Sequence, residues 1–117
     1  MNSTSDKLGT AGPEFEQRMA QIQQEHTQRM AEMRIARICQ NGSINTYVEE
    51  FLDLARILQW NDSALMFCFE RGLKEDVEEI LCLKDRPDTL SCLIEEATKI
   101  DNRIQERKYL LNASPRR

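Results

Sequence analysis

Between Ser43 and Lys108, apolar side chains recur at steps of three and four and are interrupted by turn residues, the spacing of amphipathic helices. Ile44, Tyr47, Val48, Phe51, Leu54, Ala55 and Leu58 share one face of a first helix, with Ser43 placed to cap it. Asn61 or Asp62 caps a second, which carries Ala64, Leu65, Cys68 and Phe69 on one side; Gly72-Leu73 closes it, glycine supplying a positive φ. A third helix from about Lys74 to Leu83 is expected to bury Val77, Ile80 and Leu81. Pro87-Asp88 then marks a stop and a new cap. Leu90, Leu93, Ile94, Ala97, Ile100 and Ile104 define a fourth helix. No strand alternation interrupts this pattern, so the fold class is all-α: a small four-helix bundle over residues 41–108. Its expected core is Tyr47, Phe51, Leu54, Leu58, Trp60, Leu65, Phe69, Leu73, Val77, Ile80, Leu93, Ile94, Ala97 and Ile100, with Trp60 capping it at a helix junction.

Ahead of the bundle, residues 14–40 contain no proline or glycine and are rich in Ala, Met, Gln, Glu and Arg, all strong helix formers apart from scattered exceptions. Phe15, Met19, Ile22, His26, Met30 and Met33 form a thin stripe, and Glu14–Arg18 and Glu25–Arg29 have the favourable i,i+4 order. This predicts one long amphipathic helix over 14–40, with Gly42 as its left-handed C-terminal cap. Residues 1–13, with several Ser, Thr and Gly and ending at Pro13, read as a disordered leader, and 109–117 as a basic tail.

Charge divides the chain the same way. Residues 1–44 hold five acids and five bases, 45–101 fourteen acids and six bases, and 102–117 one acid and five bases, giving 0, −8 and +4 and the net −4. An acidic body excludes a broad nucleic-acid footprint; Arg107, Lys108, Arg116 and Arg117 could supply a weak phosphate contact. Cys39, Cys68, Cys82 and Cys92 match no metal-ligand spacing, all four read as helical, and His26 is the only histidine. No apolar run approaches a membrane span and no signal leader opens the chain, so an intracellular protein, cytoplasmic or nuclear, with reduced thiols is expected. The acidic cluster Glu75, Asp76, Glu78 and Glu79 reads as a solvated helix start stabilised by the macrodipole. No nucleophile, base or cofactor motif emerges; the expected catalytic, cofactor and metal residues are none, with no small-molecule substrate and no membrane partner.

The residues off the core arcs carry the functional expectation. On a helical wheel Ala64, Leu65, Cys68, Phe69 and Gly72 span about 140°. Met66 and Phe67 fall outside that arc, beside Glu70 and Arg71. Met66, Phe67, Glu70 and Arg71 are therefore the candidate self-association residues of a non-catalytic protein, which would pack a helix from each of two chains, because a unit of about 65 residues is marginal alone. Two other readings stay open: an adaptor that recruits another protein through the 14–40 helix, and weak RNA binding through the basic tail. Asp101 and Arg103 are expected to pair with Arg56 or Asp53.

The order of these elements also resembles the C-terminal lobe of a Gag capsid protein from Ty3/gypsy-type retrotransposons, as found in domesticated Gag-like genes of vertebrates. The resemblance rests on Gly42-Ser43-Ile44, Tyr47-Val48-Glu49-Glu50-Phe51, Leu54-Ala55 and Trp60-Asn61-Asp62-Ser63-Ala64-Leu65. It continues through Phe69-Glu70-Arg71-Gly72-Leu73, Pro87-Asp88-Thr89-Leu90 and Leu93-Ile94 to Ile100-Asp101-Asn102-Arg103-Ile104-Gln105-Glu106-Arg107. It implies self-association, with itself or with a related Gag-like protein, and in the related retroviral lobe the second of these helices forms the dimer contact. The preceding 40 residues are too few for an N-terminal capsid lobe, and no zinc-knuckle or Asp-Ser/Thr-Gly run is present, so a lone C-lobe with a new helical front is expected.

Overall fold

The computed structural model describes residues 3–113, with side-chain surroundings from residue 12 onward. Five helices follow in order: α1 (Ser3–Ile35), α2 (Ile44–Leu58), α3 (Asp62–Arg71), α4 (Glu75–Cys82) and α5 (Leu90–Ala113). Among the described residues there is no strand. The all-α class and a four-helix bundle behind a long helix are as the periodicity predicts.

The bundle closes around α2. Tyr47 and Phe51 on α2 meet Phe69 on α3, with ring centroids 5.1–6.1 Å apart and the Phe51–Phe69 pair edge-to-face. Val77, Leu93 and Ala97 are fully enclosed beside them, and α5 lies against α2, α3 and α4. Burying such rings contributes about 1.5–3 kcal/mol each, which is why a unit this small holds together. Ser43 caps α2 by accepting from the Asn45 amide at 3.0 Å, and Asn61 caps α3 by accepting from the Ala64 amide at 2.9 Å. Asp62 instead reaches across the bundle and accepts from the Leu90 amide at the start of α5.

Several local expectations are corrected. α1 starts at Ser3, not at Glu14, and runs through Pro13; it stops at Ile35, not at Gln40. It stops early because tertiary bonds capture the following residues: Ala36 accepts from the Arg71 guanidinium, and the Gln40 amide donates to the Gly72 carbonyl at 2.7 Å. Cys39 therefore sits in this connection and outside any helix. No described glycine has a positive φ; the left-handed position is Gln59, at φ 55°, which closes α2 through its amide to the Ala55 carbonyl. Gly72 is right-handed at φ −91°, and is needed for space: a Cβ there would overlap the Tyr47 hydroxyl and lie 2.8 Å from the Ile38 carbonyl oxygen. The cap of α5 comes from Thr89, whose hydroxyl accepts from the Cys92 amide, not from Asp88.

The core matches the expected set except at three positions. Ile80 is exposed, because the short α4 turns only Val77 and Leu81 inward. Trp60 and Ile94 are partly buried and pack against the core from its edge. The structure adds Ala31 and Ile35, by which α1 docks on the bundle, together with Ile44, Met66, Leu81 and Leu90, and two buried polar side chains, Gln40 and Asp101.

Candidate self-association surface

The outward side of α3, with Phe67 and Arg71, is set by the residues that bury its inward side. Leu65, Met66 and Phe69 face the core, with Ala64 and Cys68 half-buried at its margin. The buried arc is thus turned toward Met66, which is 4% exposed. The expectation of an exposed Met66 is wrong: Met66 belongs to the buried core cluster, and α3 also packs against α5, so its buried arc is wider than one face. Phe67 remains, 60% exposed.

Three of the four candidate residues come together here. The Arg71 guanidinium lies over the Phe67 ring, 5.7 Å from its centroid, within cation–π range. That same guanidinium donates to the Ala36 carbonyl at 3.3 Å, so its position is fixed by the connection behind α1. Glu70, largely shielded, holds Arg86 at 3.6 Å. The result is a flat apolar ring with a cation stacked on it and an ion pair at its edge. A ring and an arginine are the side-chain types that dominate protein contacts, since they bury much area at low entropic cost.

Other singled-out residues are arranged differently. Asp101 is fully enclosed and accepts from the Gln40 amide at 3.0 Å, so the expected ion pair between Asp101 or Arg103 and Arg56 or Asp53 does not form; Arg56 bonds Asp53 within α2. The same Gln40 side chain donates to the Gly42 carbonyl and accepts from the Lys74 amide. Sequence reasoning missed this network, and its partners are 61 and 34 residues apart, beyond any local signal. Arg107 and Lys108 are exposed on α5, with Lys108 3.9 Å from Asp76 on α4; Arg116 and Arg117 lie outside the described residues. Glu75, Asp76 and Glu78 stand in the first turn of α4, and among the described residues no group of three metal-ligating side chains could hold an ion. His26 is exposed on α1. No helix among the described residues is long and apolar enough to cross a membrane.

Burial pushes the Tyr47 hydroxyl well above the ordinary tyrosine range, with smaller contributions from the Cys39 and Cys68 thiols nearby. It therefore stays protonated and donates to the Phe69 carbonyl at 2.9 Å, a bond that locks α2 to the end of α3.

A small all-helical bundle is the architecture of a capsid-like domain. Residues 31–104, more than half of the chain, match the family of the PEG10/RTL1 C-terminal capsid-like domain. The chain belongs to that family, a domesticated retrotransposon Gag-derived domain. The match begins at Ala31, which is buried against the bundle, and ends at Ile104 within α5.

Proposed function

We propose that this capsid-like domain works by self-association inside the cell, without a catalytic step, and that the outward side of α3 forms a two-fold contact between copies or with a related capsid-like chain. The observation that carries the reading is Phe67: a large ring, 60% exposed, on a helix whose neighbouring Leu65, Met66 and Phe69 are buried. Its backbone position is held from beneath by those three residues, and its cation partner is held from the side by the Ala36 carbonyl, so the patch is preorganised and loses little entropy on binding. A two-fold axis beside Phe67 stacks ring on ring and leaves Arg71 and the Glu70–Arg86 pair as a polar rim.

Sedimentation velocity of the chain across concentrations tests this. Phe67→Asp, on an already exposed position, leaves the helical signal intact and removes the concentration-dependent rise in mass contributed by α3. An unchanged mass distribution in that variant rules the α3 contact out.

A further inference from the structure

α1 carries an apolar stripe that its own bundle does not use. At 100° per residue, Phe15, Met19, Ile22, His26, Met30 and Met33 lie within an arc of about 80°. Ala31 and Ile35, which dock α1 on the bundle, lie on the opposite side, so from Phe15 to Ile22 the stripe faces away from the bundle, while its far end flanks α2. Its five apolar members are 39–62% exposed. At one end of the stripe, the largest ring, Phe15, projects beyond the bundle. At the other end, Met30 and Met33 continue into a groove of about 660 Å³ whose apolar wall is completed by Leu54 and Ile57 of α2.

We infer that this stripe is a second interface, occupied by the same stripe of another copy of this chain running antiparallel. Three observations select that occupant. A ring at one end and a groove at the other, about 27 Å apart at 1.5 Å per residue, complement each other only when two copies lie head to tail; Phe15 of one then meets Met33 and the groove of the other, with Ile22 opposite His26 between them. The exposed apolar surface of the stripe is roughly 500 Å² per chain, so two copies bury about 1,000 Å², the lower bound for a specific contact. Residues 1–44 carry five acids and five bases, so two copies of this segment approach without the net repulsion that the −8 body imposes. Combined with the α3 contact, and only if that reading holds, each chain has two different two-fold surfaces. Two such surfaces on one subunit generate an open chain of copies unless the rotations close a ring.

The test is sedimentation velocity on four full-length chains: unchanged, Phe67→Asp, Ile22→Asp and the double variant, with Gln21→Asp as an off-stripe control and circular dichroism to confirm the helices. The expected result is mass growing past a dimer for the unchanged chain, a dimer for each single variant, and a monomer for the double. If Ile22→Asp leaves the mass of the Phe67→Asp background unchanged, the α1 interface is wrong and the stripe receives some other helix. If Phe67→Asp alone changes nothing while Ile22→Asp lowers the mass, the α3 reading fails and this one stands. Orientation is read in the Phe67→Asp background from Phe15→Glu and Met33→Lys. Each alone weakens pairing by at least tenfold, and mixing the two chains restores it, because antiparallel packing sets glutamate against lysine. A mixture that restores nothing overturns the antiparallel assignment.

Discussion

The Gln40 side-chain amide donates to the Asp101 carboxylate across 3.0 Å inside the bundle, joining residues 61 apart in sequence. Both side chains are almost fully enclosed, and Gln40 also bonds the Gly42 carbonyl, the Lys74 amide and, through its own backbone, the Gly72 carbonyl. One residue thereby ties the α1–α2 connection to α5 and to the α3–α4 junction.

Removing either partner leaves buried polar groups unpaired, at about 1–3 kcal/mol each. Gln40→Ala and Asp101→Ala should each lower stability by that amount or more in urea denaturation. The double variant should cost clearly less than the sum, since the second loss removes a group already unpaired.

Gly72→Ala should destabilise by about 1–3 kcal/mol, because its Cβ enters the space of the Tyr47 hydroxyl. Tyr47→Phe loses the bond to the Phe69 carbonyl but vacates part of that space. The combined variant is expected to be more stable than additivity predicts, and equilibrium unfolding of the four chains measures the coupling.

Gln59 closes α2 in a left-handed conformation at φ 55°, which costs a side-chain-bearing residue about 1 kcal/mol. Gln59→Gly should therefore raise stability by about 0.5–1 kcal/mol and lift the thermal midpoint. A fall in the midpoint would show that the glutamine side chain contributes more than the backbone strain removes.

The raised Tyr47 pKa fixes the sign of a pH effect. The unfolded chain releases this proton near pH 10, while the folded chain retains it. Above about pH 10 the native state binds more protons, so stability falls as pH rises, by at most about 1.4 kcal/mol per unit. Tyr47→Phe should lack this part of the slope when stability is followed from pH 9 to 11.

Most of the fold was legible because its signals are local. Ser43 and Asn61 stand one residue before their helices, and the α2 stripe repeats over four turns. Met66 was misplaced because the wheel assumes a buried arc of about 140°, whereas the core wraps further round α3 and encloses Leu65, Met66 and Phe69 together. Gly72 was recognised as necessary for the wrong reason: a short helix end suggests a positive φ, whereas the demand comes from a tyrosine 25 residues earlier in the chain. Asp101 reads as a surface charge in any helical pattern; only folding brings Gln40 to it. The exposure of Phe67 was legible because an apolar ring on the polar side of a helix departs from the very pattern that defines the helix.

Docking through Ala31 and Ile35, followed at once by the Gln40 clamp, means that α1 is held to the bundle as a rigid lever and not as a tether. Anything gripping its far end is then positioned in phase with the helix. Adding or deleting one residue between Phe15 and Ala31 would swing the gripped side by about 100° and shift it by about 1.5 Å, so under the proposed α1 pairing the length of this segment would set how two copies are spaced and turned.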